Sequence, residues 1–260
     1  MPSKPRQFQE LEILREKPVA LVRDMAARMA VSESTIRRDL AELEAQGLVR
    51  RLYGGAVLEG QAADREEPLD VPRGSCPPVK DLIGRTAAEM VADGDIIFLD
   101  GGTTAQAMVP HLFQRHDLTV VTCGLGIASA LAGAAHVHTI VIGGELDIES
   151  QCFVGPLATE AFQIYHLRCN KAFLGAGGVS SEHGITNRLL GRVALKRQVL
   201  EMAQRTIVVA AGSKLGHALL GFVCPMCAID CLVTDTSAPE DELARIRAQG
   251  VQVKVASNGQ

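Results

Sequence analysis

One loop of the sequence has the composition of a phosphate-binding site. The run Gly101-Gly102-Thr103-Thr104 follows the apolar segment Ile96–Leu99 and precedes a helical pattern. Backbone amides at the start of a helix, approached through glycine and flanked by hydroxyls, bind anions such as phosphate. The same run alone also fits an ordinary turn between a strand and a helix. The loop therefore predicts a phosphate site only where other polar groups converge on it.

Further polar or glycine-rich segments follow other apolar runs of the chain. They are Thr122–Gly124, Gly143–Glu145, Gly175–Gly178 and Gly212–Lys214. In an open parallel sheet, ligands bind beyond the carboxyl ends of the strands, where such segments meet. Lys214 would supply the cation that a phosphorylated ligand needs, although an isolated lysine is more often a surface residue. The pattern indicates a small-molecule site at one edge of a sheet.

A second set of residues has the chemistry of a DNA contact. Ser32 fits the N-cap of a helix whose apolar face contains Ile36 and Leu40. The other faces carry hydroxyls and guanidinium groups, which hydrogen-bond to base edges and phosphates. The candidate DNA contacts are Ser32, Ser34, Thr35, Arg37, Arg38, Arg50, Arg51 and Tyr53. For the arginines, the alternative is a solvated surface with ion pairs to nearby glutamates.

Three short helices and a β-hairpin must position these contacts. Apolar residues recur at helical spacing in three stretches, the first of which contains Phe8, Leu11 and Leu14. The region Ala20–Asp39 predicts two helices joined by a tight turn, which is the geometry of a helix-turn-helix. Short strands on either side of Gly54-Gly55 predict a hairpin wing whose two arginines meet phosphates.

The periodicity changes after residue 58. Residues 59–79 are polar and rich in turn residues, so they predict an interdomain linker. Beyond them, short β-branched runs alternate with helical segments, which predicts a mostly parallel sheet with helices on both faces. The expected organisation is a winged helix-turn-helix head of α+β class (residues 1–58), the linker (59–79) and a Rossmann-like α/β domain (80–260).

Six strands and six helices are predicted in this second region. The strands are Ile96–Leu99, Leu118–Thr122, Thr139–Ile142, Ala172–Leu174, Thr206–Ala210 and Cys231–Thr234. The helices are Leu82–Ala92, Thr104–Phe113, Ile127–Leu131, Pro156–Tyr165, Val193–Gln204 and Glu240–Ala248.

Composition limits the class of protein. Of the 260 residues, 47% are apolar and 22% are charged, a profile of soluble globular proteins. No apolar run approaches the roughly 20 residues of a membrane span, and the first ten residues lack the apolar segment of a secretory signal. Seven cysteines without an export signal predict reduced thiols in a cytoplasm. The formal charge is +2 over residues 1–58 and −6 over the rest, a hint of a nucleic-acid-binding head.

Three spaced segments carry a resemblance to a known family. They are Val31–Leu40 (VSESTIRRDL), Leu43–Leu48 (LEAQGL) and Arg51–Ala56 (RLYGGA). In this order they resemble the N-terminal signature of the DeoR family of bacterial transcriptional regulators, and the resemblance continues through the second region. Within the family, the stretch Asp95–Leu112 is most similar to glucitol (sorbitol) operon repressors.

The resemblance implies a fold and a ligand for the second region. This region looks like the sugar-phosphate-sensing domain of DeoR regulators, which is similar in fold to ribose-5-phosphate isomerase. By that likeness, Gly102, Thr103, Thr104 and Lys214 hold the phosphate of the ligand. The residues implied for the rest of the effector site are Asp100, Gly101, Thr122, Cys123, Gly124, Gly175, Gly177 and Gly178.

Two segments depart from the family pattern. Cys123-Gly124 stands where the family usually has Asn-Ser, so an amide that would bind a sugar hydroxyl is missing. Gly191-Arg192 stands where the family typically has two carboxylates. Lys196 follows on the same segment and is a candidate contact for an anionic ligand, with a solvated helix start as the alternative. These departures leave the identity of the sugar open.

These observations predict a repressor of a carbohydrate or polyol operon that a phosphorylated sugar or polyol releases from DNA. One recognition helix contacts too little DNA for tight binding, so we expect a homodimer or homotetramer on double-stranded operator DNA. The alternative is a sugar-phosphate isomerase with a DNA-binding head. Isomerisation needs an acid–base pair, and neither Leu174–Gly178 nor Gly191-Arg192 contains a carboxylate.

The cysteines near the C-terminus offer one further hypothesis. Cys224, Cys227 and Cys231 could hold zinc or act as a redox pair, but their spacing is not a strong zinc pattern. Buried cysteine is also a common small apolar residue. We expect neither a metal nor a cofactor.

Overall fold

The computed structural model describes residues 5–16, 19–46, 48–52, 55–58 and 78–257. The chain divides into two units, residues 1–65 and 66–260. Most of the linker expected at residues 59–79 lies outside the described residues, so its bounds stay a prediction. None of the described helices has both the length and the apolar character needed to cross a membrane.

The N-terminal unit contains three helices and a three-stranded sheet. In chain order the elements are α1 (Pro5–Glu16), β1 (Val19–Leu21), α2 (Val22–Met29), α3 (Glu33–Ala45), β2 (Val49–Leu52) and β3 (Gly55–Leu58). The strands pair antiparallel in the order β1-β3-β2. Helices α2 and α3 form the helix-turn-helix, and β2 and β3 form the wing. The expected winged helix-turn-helix is confirmed.

The core of this unit follows the helical periodicity, with one exception. Leu14, Met25 and Ile36 each expose 1% or less of their surface. Phe8, the exception, is 55% exposed, although the helix that its spacing with Leu11 and Leu14 predicted is present as α1. Helix α1 instead turns polar side chains toward α3, where Arg6 pairs with the buried Asp39. The sequence prediction also omitted β1, whose three residues are too few to show a periodicity.

The second unit is an α/β domain. Its helices are α4 (Pro78–Ala88), α5 (Thr103–Gln106), α6 (Val109–Leu112), α7 (Leu125–Leu131), α8 (Pro156–Ile164), α9 (Leu190–Met202) and α10 (Glu240–Ala248). Its strands are β4 (Ile96–Leu99), β5 (Thr119–Thr122), β6 (His138–Val141), β7 (Glu145–Asp147), β8 (Cys152–Val154), β9 (Cys169–Gly175), β10 (Gly178–Ser180), β11 (Gly184–Asn187), β12 (Ala203–Val209), β13 (Gly221–Cys224), β14 (Cys231–Asp235) and β15 (Gln252–Ala256).

Seven of these strands form one parallel sheet with helices on both faces. The order is β15-β14-β12-β9-β4-β5-β6. Side chains alternate across the sheet, so Ile97 and Leu99 of β4 join one apolar cluster and Phe98 joins the other. Phe98 packs edge-on against Phe162 of α8, with ring centroids 6.0 Å apart. The expected fold class, a winged helix-turn-helix head followed by an α/β domain, is confirmed.

The predicted elements differ from the structure mainly where they are short. The helix expected at Thr104–Phe113 is two helices, α5 and α6. Pro110 lies in the first turn of α6, and it lacks the amide hydrogen that a continuous helix would need there. The sequence prediction also omitted β15, the β7-β8 hairpin and the small β10-β11-β13 sheet. These strands have three to five residues, and none forms a continuous β-branched run like those that predicted the other strands.

Candidate functional site

The strand-end segments meet at the carboxyl edge of the parallel sheet. Asp100 follows β4, Thr122 ends β5 and Gly175 ends β9, and these strands are neighbours in the order β9-β4-β5. Helix α9 supplies two basic side chains, Arg192 and Lys196, to the same edge. The sheet topology therefore brings together groups that are far apart in the chain.

Asp100 is the centre of a buried ion-pair cluster. Its carboxylate accepts a hydrogen bond from Arg192 Nη2 at 3.1 Å and pairs with Lys196 Nζ. It also accepts from Gly175 N at 3.0 Å. The two cations donate to the backbone as well, Arg192 Nη2 to Gly101 O and Lys196 Nζ to Gly175 O, both at 2.6 Å. These bonds join the ends of β4 and β9 to α9.

The charges of this cluster are fixed by its environment. Burial by itself raises the pKa of Asp100, but the positive charges of Lys196 and Arg192, with their hydrogen bonds, outweigh burial and lower that pKa below its ordinary value. The three side chains expose 3% or less of their surface. Asp100 is therefore ionised at neutral pH and held by cations, which is unlike a general base poised near neutrality.

The predicted phosphate loop lies beside the cluster. Gly102 precedes α5 with a φ of 114°, a backbone conformation that favours glycine. Thr103 and Thr104 open the helix, and Lys80 of α4 donates from Nζ to Thr103 Oγ1 at 2.8 Å. A Cβ atom at Gly102 would lie 3.8 Å from Arg192 Nη2. Two cations, Lys80 and Arg192, therefore border the loop.

The end of β5 packs against the same loop. Thr122 is fully buried, and its Oγ1 donates to Leu99 O at 2.7 Å and accepts from Gly124 N at 3.0 Å. Its hydroxyl thus stabilises the turn after β5. A Cβ atom at Gly124 would lie 3.0 Å from Gly101 Cα, so both positions need glycine for this approach. Cys123 is also buried at this strand end.

The remaining predicted effector residues lie around the small β10-β11-β13 sheet. Gly177 N donates to Thr186 O of β11 at 3.0 Å, and Gly178 begins β10. Lys214 ends a 3-10 turn, Gly212–Lys214, that follows β12. The next residue after this turn bridges to β10. These residues therefore follow the carboxyl ends of β9 and β12, the two strands on one side of β4, whereas Asp100 and Gly101 follow β4 itself.

Sequence reasoning missed three residues of this site. Arg192 was noted only as a departure from the family, although it precedes Lys196 by four residues and so shares its helix face. That spacing was a usable signal. Lys80 and Cys152 gave no such signal, because only the fold brings the start of α4 and strand β8 to the strand ends.

Five of the predicted DNA contacts lie on α3 or cap it. Ser32 caps α3 by accepting from Thr35 N at 3.2 Å, as expected from sequence. Arg37 and Arg38 are exposed, and Arg37 Nη2 lies 2.7 Å from Glu33 Oε2. Ser34 is exposed and Thr35 is half-buried on the same helix.

The wing arginines are described in part. Arg51 Nε lies 2.8 Å from Glu44 Oε2, so it makes the kind of glutamate pair considered from sequence, as Arg37 also does. Arg50 lies on β2. Tyr53 lies outside the described residues.

The three cysteines near the C-terminus lie in different environments. Cys224 and Cys231 are buried in β13 and β14, and Cys227 is exposed between them. Burial raises the pKa of Cys224 to about 11 and also raises that of Cys231. Within the described part of the chain, no three His, Cys, Asp or Glu side chains are grouped as metal ligands.

Comparison with known proteins gives a consistent result for both units. Residues 6–62 match the family model "DeoR-like helix-turn-helix domain" and residues 77–236 match "DeoR C terminal sensor domain". The putative aga operon transcriptional repressor of Escherichia coli O157:H7 is 32% identical over 95% of this chain and 92% of its own. The glycerol-3-phosphate regulon repressor of Escherichia coli K12 is 27% identical over 94% of this chain and 96% of its own.

Among solved structures, ribose 5-phosphate isomerase A from Methanocaldococcus jannaschii is similar over 52% of this chain and 53% of its own, at 17% identity and a TM-score of 0.37. The two family models together span both units, and the aga operon relative covers nearly the whole chain. The chain belongs to the DeoR family of DNA-binding transcriptional regulators.

Proposed function

We propose that this protein is a DeoR-type repressor of a sugar or polyol operon, and that a phosphorylated sugar or polyol bound at the strand ends weakens its binding to operator DNA. The observation that carries the proposal is the Gly102–Thr104 loop. It has the backbone amides of a helix start, two threonine hydroxyls and two bordering cations, Lys80 and Arg192. We further propose that it acts in the bacterial cytoplasm, at the nucleoid when bound to its operator.

The loop supports a phosphate rather than a neutral group. Backbone amides at a helix start favour anions, and lysine or arginine beside them adds a full positive charge. Lys80 Nζ already lies 2.8 Å from Thr103 Oγ1, so a phosphate bonded to that hydroxyl would also be near the ammonium group. One relative, the glycerol-3-phosphate regulon repressor, is named for the regulon of a phosphorylated polyol.

The buried cluster supports a role in shaping the site that holds the rest of the ligand. Asp100 and Lys196 are tied to each other and to the backbone of Gly175, so they form a floor whose groups move little. The Thr122 hydroxyl is hydrogen-bonded to the backbone of Leu99 and Gly124, so we propose that it stabilises the turn after β5 and does not contact the ligand. Lys214 and the Gly177-Gly178 segment would close the site from the β12 side.

The same cluster argues against the isomerase alternative. A carboxylate whose pKa is lowered by two buried cations is a weak base near neutral pH. The positions expected to hold the acid–base pair carry Gly175–Gly178 and Gly191-Arg192, which contain no carboxylate. We therefore propose that the site binds its ligand and does not turn it over.

DNA binding would use α3, the wing and two or more copies of the chain. Specific sites are usually read by paired recognition helices, because one helix and one wing bury too little surface. We propose a homodimer or homotetramer, with domain bounds at residues 1–58, 59–79 and 80–260. A strictly monomeric, operator-binding protein at micromolar concentration in sedimentation would contradict this part.

The test of the effector is a thermal-shift screen of sugar and polyol phosphates beside their unphosphorylated parents, followed by calorimetry on the hits. We expect a phosphorylated ligand to bind, its parent to bind much more weakly, and Lys80→Ala to reduce the affinity at least about tenfold, the scale of one lost charge-assisted hydrogen bond. Lys254→Ala on the edge strand β15 is the matched control.

Two results would overturn the phosphate site. One is a ligand that binds equally well without its phosphate. The other is a phosphorylated ligand whose affinity is unchanged by both Lys80→Ala and Lys214→Ala. A gel shift with the confirmed ligand then tests the direction of the effect, since ligand and operator must weaken each other to the same degree.

A further inference from the structure

Two cysteines from distant parts of the chain lie side by side at the strand ends. Cys123 follows β5 and Cys152 begins β8, and these backbones pair antiparallel. Phe153 N donates to Cys123 O at 2.8 Å, and Gly124 bridges to Cys152. The paired backbones bring the two thiols close enough for each to shift the pKa of the other. Cys123 and Cys152 expose 1% and 0% of their surface, so the pair lies in the interior of the unit.

The surroundings of the pair hold both sulfur atoms close to the ion-pair cluster. Cys123 Sγ lies 3.9 Å from Asp100 Oδ1, and Cys152 Sγ lies 3.2 Å from Ser150 O. A Cβ atom at Gly101 would be 2.0 Å from Cys152 Sγ, so the thiol fills the space that the missing side chain leaves. Any side chain at residue 101 would displace Cys152.

The pKa values of the two thiols are shifted in opposite directions. The neighbouring Cys123 thiol lowers the pKa of Cys152, with Arg192 acting in the same direction against burial. The neighbouring Cys152 thiol, together with burial, raises the pKa of Cys123. By contrast, burial raises the pKa of Cys169 and of Cys224 to about 11. A thiol with a lowered pKa beside a second thiol is the arrangement of an attacking and a resolving cysteine.

We propose that Cys123 and Cys152 are an oxidation site, at which a hydroperoxide converts the two thiols into a reversible disulfide. The Cys152 thiolate attacks the peroxide O–O bond, which gives a sulfenic acid and releases hydroxide or an alkoxide. Cys123 then attacks the sulfenic sulfur and loses its thiol proton, and water leaves. Two thiols are oxidised by one hydroperoxide, and a dithiol reductant reverses the step.

The hairpin that carries Cys152 provides a route for the oxidant. Strands β7 and β8 form a two-stranded sheet of three residues per strand, and such hairpins open locally at low cost in free energy. Once formed, the disulfide would pin β8 to the end of β5 next to Gly101 and Asp100. Oxidation would therefore change the shape of the strand-end site. The inference goes beyond the proposed effector and does not depend on its identity.

The experiment is thiol mapping of the full chain after exposure to hydrogen peroxide. Reduced protein is treated, alkylated and digested without reductant. We expect the loss of two of the seven free thiols and a Cys123–Cys152 cross-linked peptide pair lighter by two hydrogen atoms, both reversed by dithiothreitol. Cys123→Ser and Cys152→Ser should each abolish the pair, and Cys227→Ser, which alters an exposed cysteine, should leave it intact.

Several outcomes would overturn the proposal. They are alkylation of both cysteines after oxidation of the other thiols, cross-links confined to other pairs, and irreversible sulfinic acid on Cys152 with Cys123 still free. Because the cross-link is mapped in the wild-type protein, this result tests the proposal even if a serine variant folds poorly. The two proposals can fail independently. A Cys123–Cys152 cross-link would support the oxidation site even if the thermal-shift screen found no phosphorylated ligand, a result that would contradict only the effector proposal.

Discussion

The same chemical pair, an arginine and a carboxylate, is used in opposite ways by the two units. Arg37 and Glu33 on α3 lie 2.7 Å apart with 61% and 48% of their side chains exposed. Arg192 and Asp100 at the strand ends lie 3.1 Å apart with 3% and 0% exposed. Water screens the first pair, so exchanging glutamate for a DNA phosphate changes the free energy little. The second pair has no solvent to replace a lost partner.

The difference shows which residues are available for binding and which maintain the shape of a site. An exposed pair holds an arginine ready and releases it at small cost. A buried pair fixes three elements, here β4, β9 and α9, and its partners cannot leave without an unpaired charge in the interior. The arrangement predicts that substitutions at the two sites separate DNA affinity from stability.

The largest expected effect is that of Asp100→Asn. Removing this charge leaves two buried cations without their carboxylate, and breaking a buried pair in this way costs about 3–5 kcal/mol of unfolding free energy. Urea unfolding of the full chain, followed on the transition of the second unit, measures it. A change below about 1 kcal/mol would show that the cluster does not hold the strand ends.

The pH dependence of stability gives the same variant a second readout. The folded pKa of Asp100 lies below its unfolded value, so its contribution is present above the ordinary Asp pKa of about 3.9 and is lost as the pH falls toward the lowered value. Asp100→Asn should therefore lose stability less steeply than the parent below about pH 4. Parallel curves would contradict the assignment.

An effect of similar size, on operator affinity rather than on stability, is expected from replacing Arg37 and Arg38 together by Ala. Each arginine that reads a base contributes about 1–3 kcal/mol, so operator affinity should fall by about 2–6 kcal/mol while the melting temperature stays nearly unchanged. Gel shifts at several salt concentrations measure this, with Arg247→Ala, an exposed arginine of the second unit, as the control. Unchanged operator binding would contradict the assignment of α3 as the recognition helix.

The smallest effect is expected from Glu33→Gln. Breaking an exposed ion pair changes the unfolding free energy by less than about 1 kcal/mol. Operator affinity should rise slightly, because Arg37 loses a competing carboxylate and a negative charge is removed near the DNA. Fluorescence anisotropy at low salt is sensitive enough to detect this. A large loss of stability would mean that the surface pair is as structural as the buried one.

The sequence predicted the head well because its signals are local. The Ser32 cap and the apolar face through Ile36 and Leu43 are each read within a few residues, and the structure confirms them. The exposure of Phe8 does not follow from such a local pattern, because the polar contacts that orient α1 connect it to α3, more than thirty residues away.

The strand-end site was predictable only in outline. Parallel-sheet topology indicates that the Gly101–Thr104 loop and the ends of β5 and β9 converge, and those positions were found. The partners of Asp100 were not, because Arg192 reaches it across 92 residues of sequence and only the order β9-β4-β5 makes them neighbours. Pairing between distant segments follows from tertiary packing, which no local pattern encodes.

The strand order also determines which part of the chain folds first. Strand β4 forms its ladder with β9, as in the pairing of Ile97 with Lys171, so the centre of the sheet waits for a segment synthesised more than seventy residues later. The strand pairings of the head are shorter, the longest being Val19 with Val57, 38 residues apart. Because local contacts form quickly and distant pairings slowly, the head is expected to fold first during synthesis. A nascent chain would then present a complete DNA-binding module before its ligand-sensing half exists.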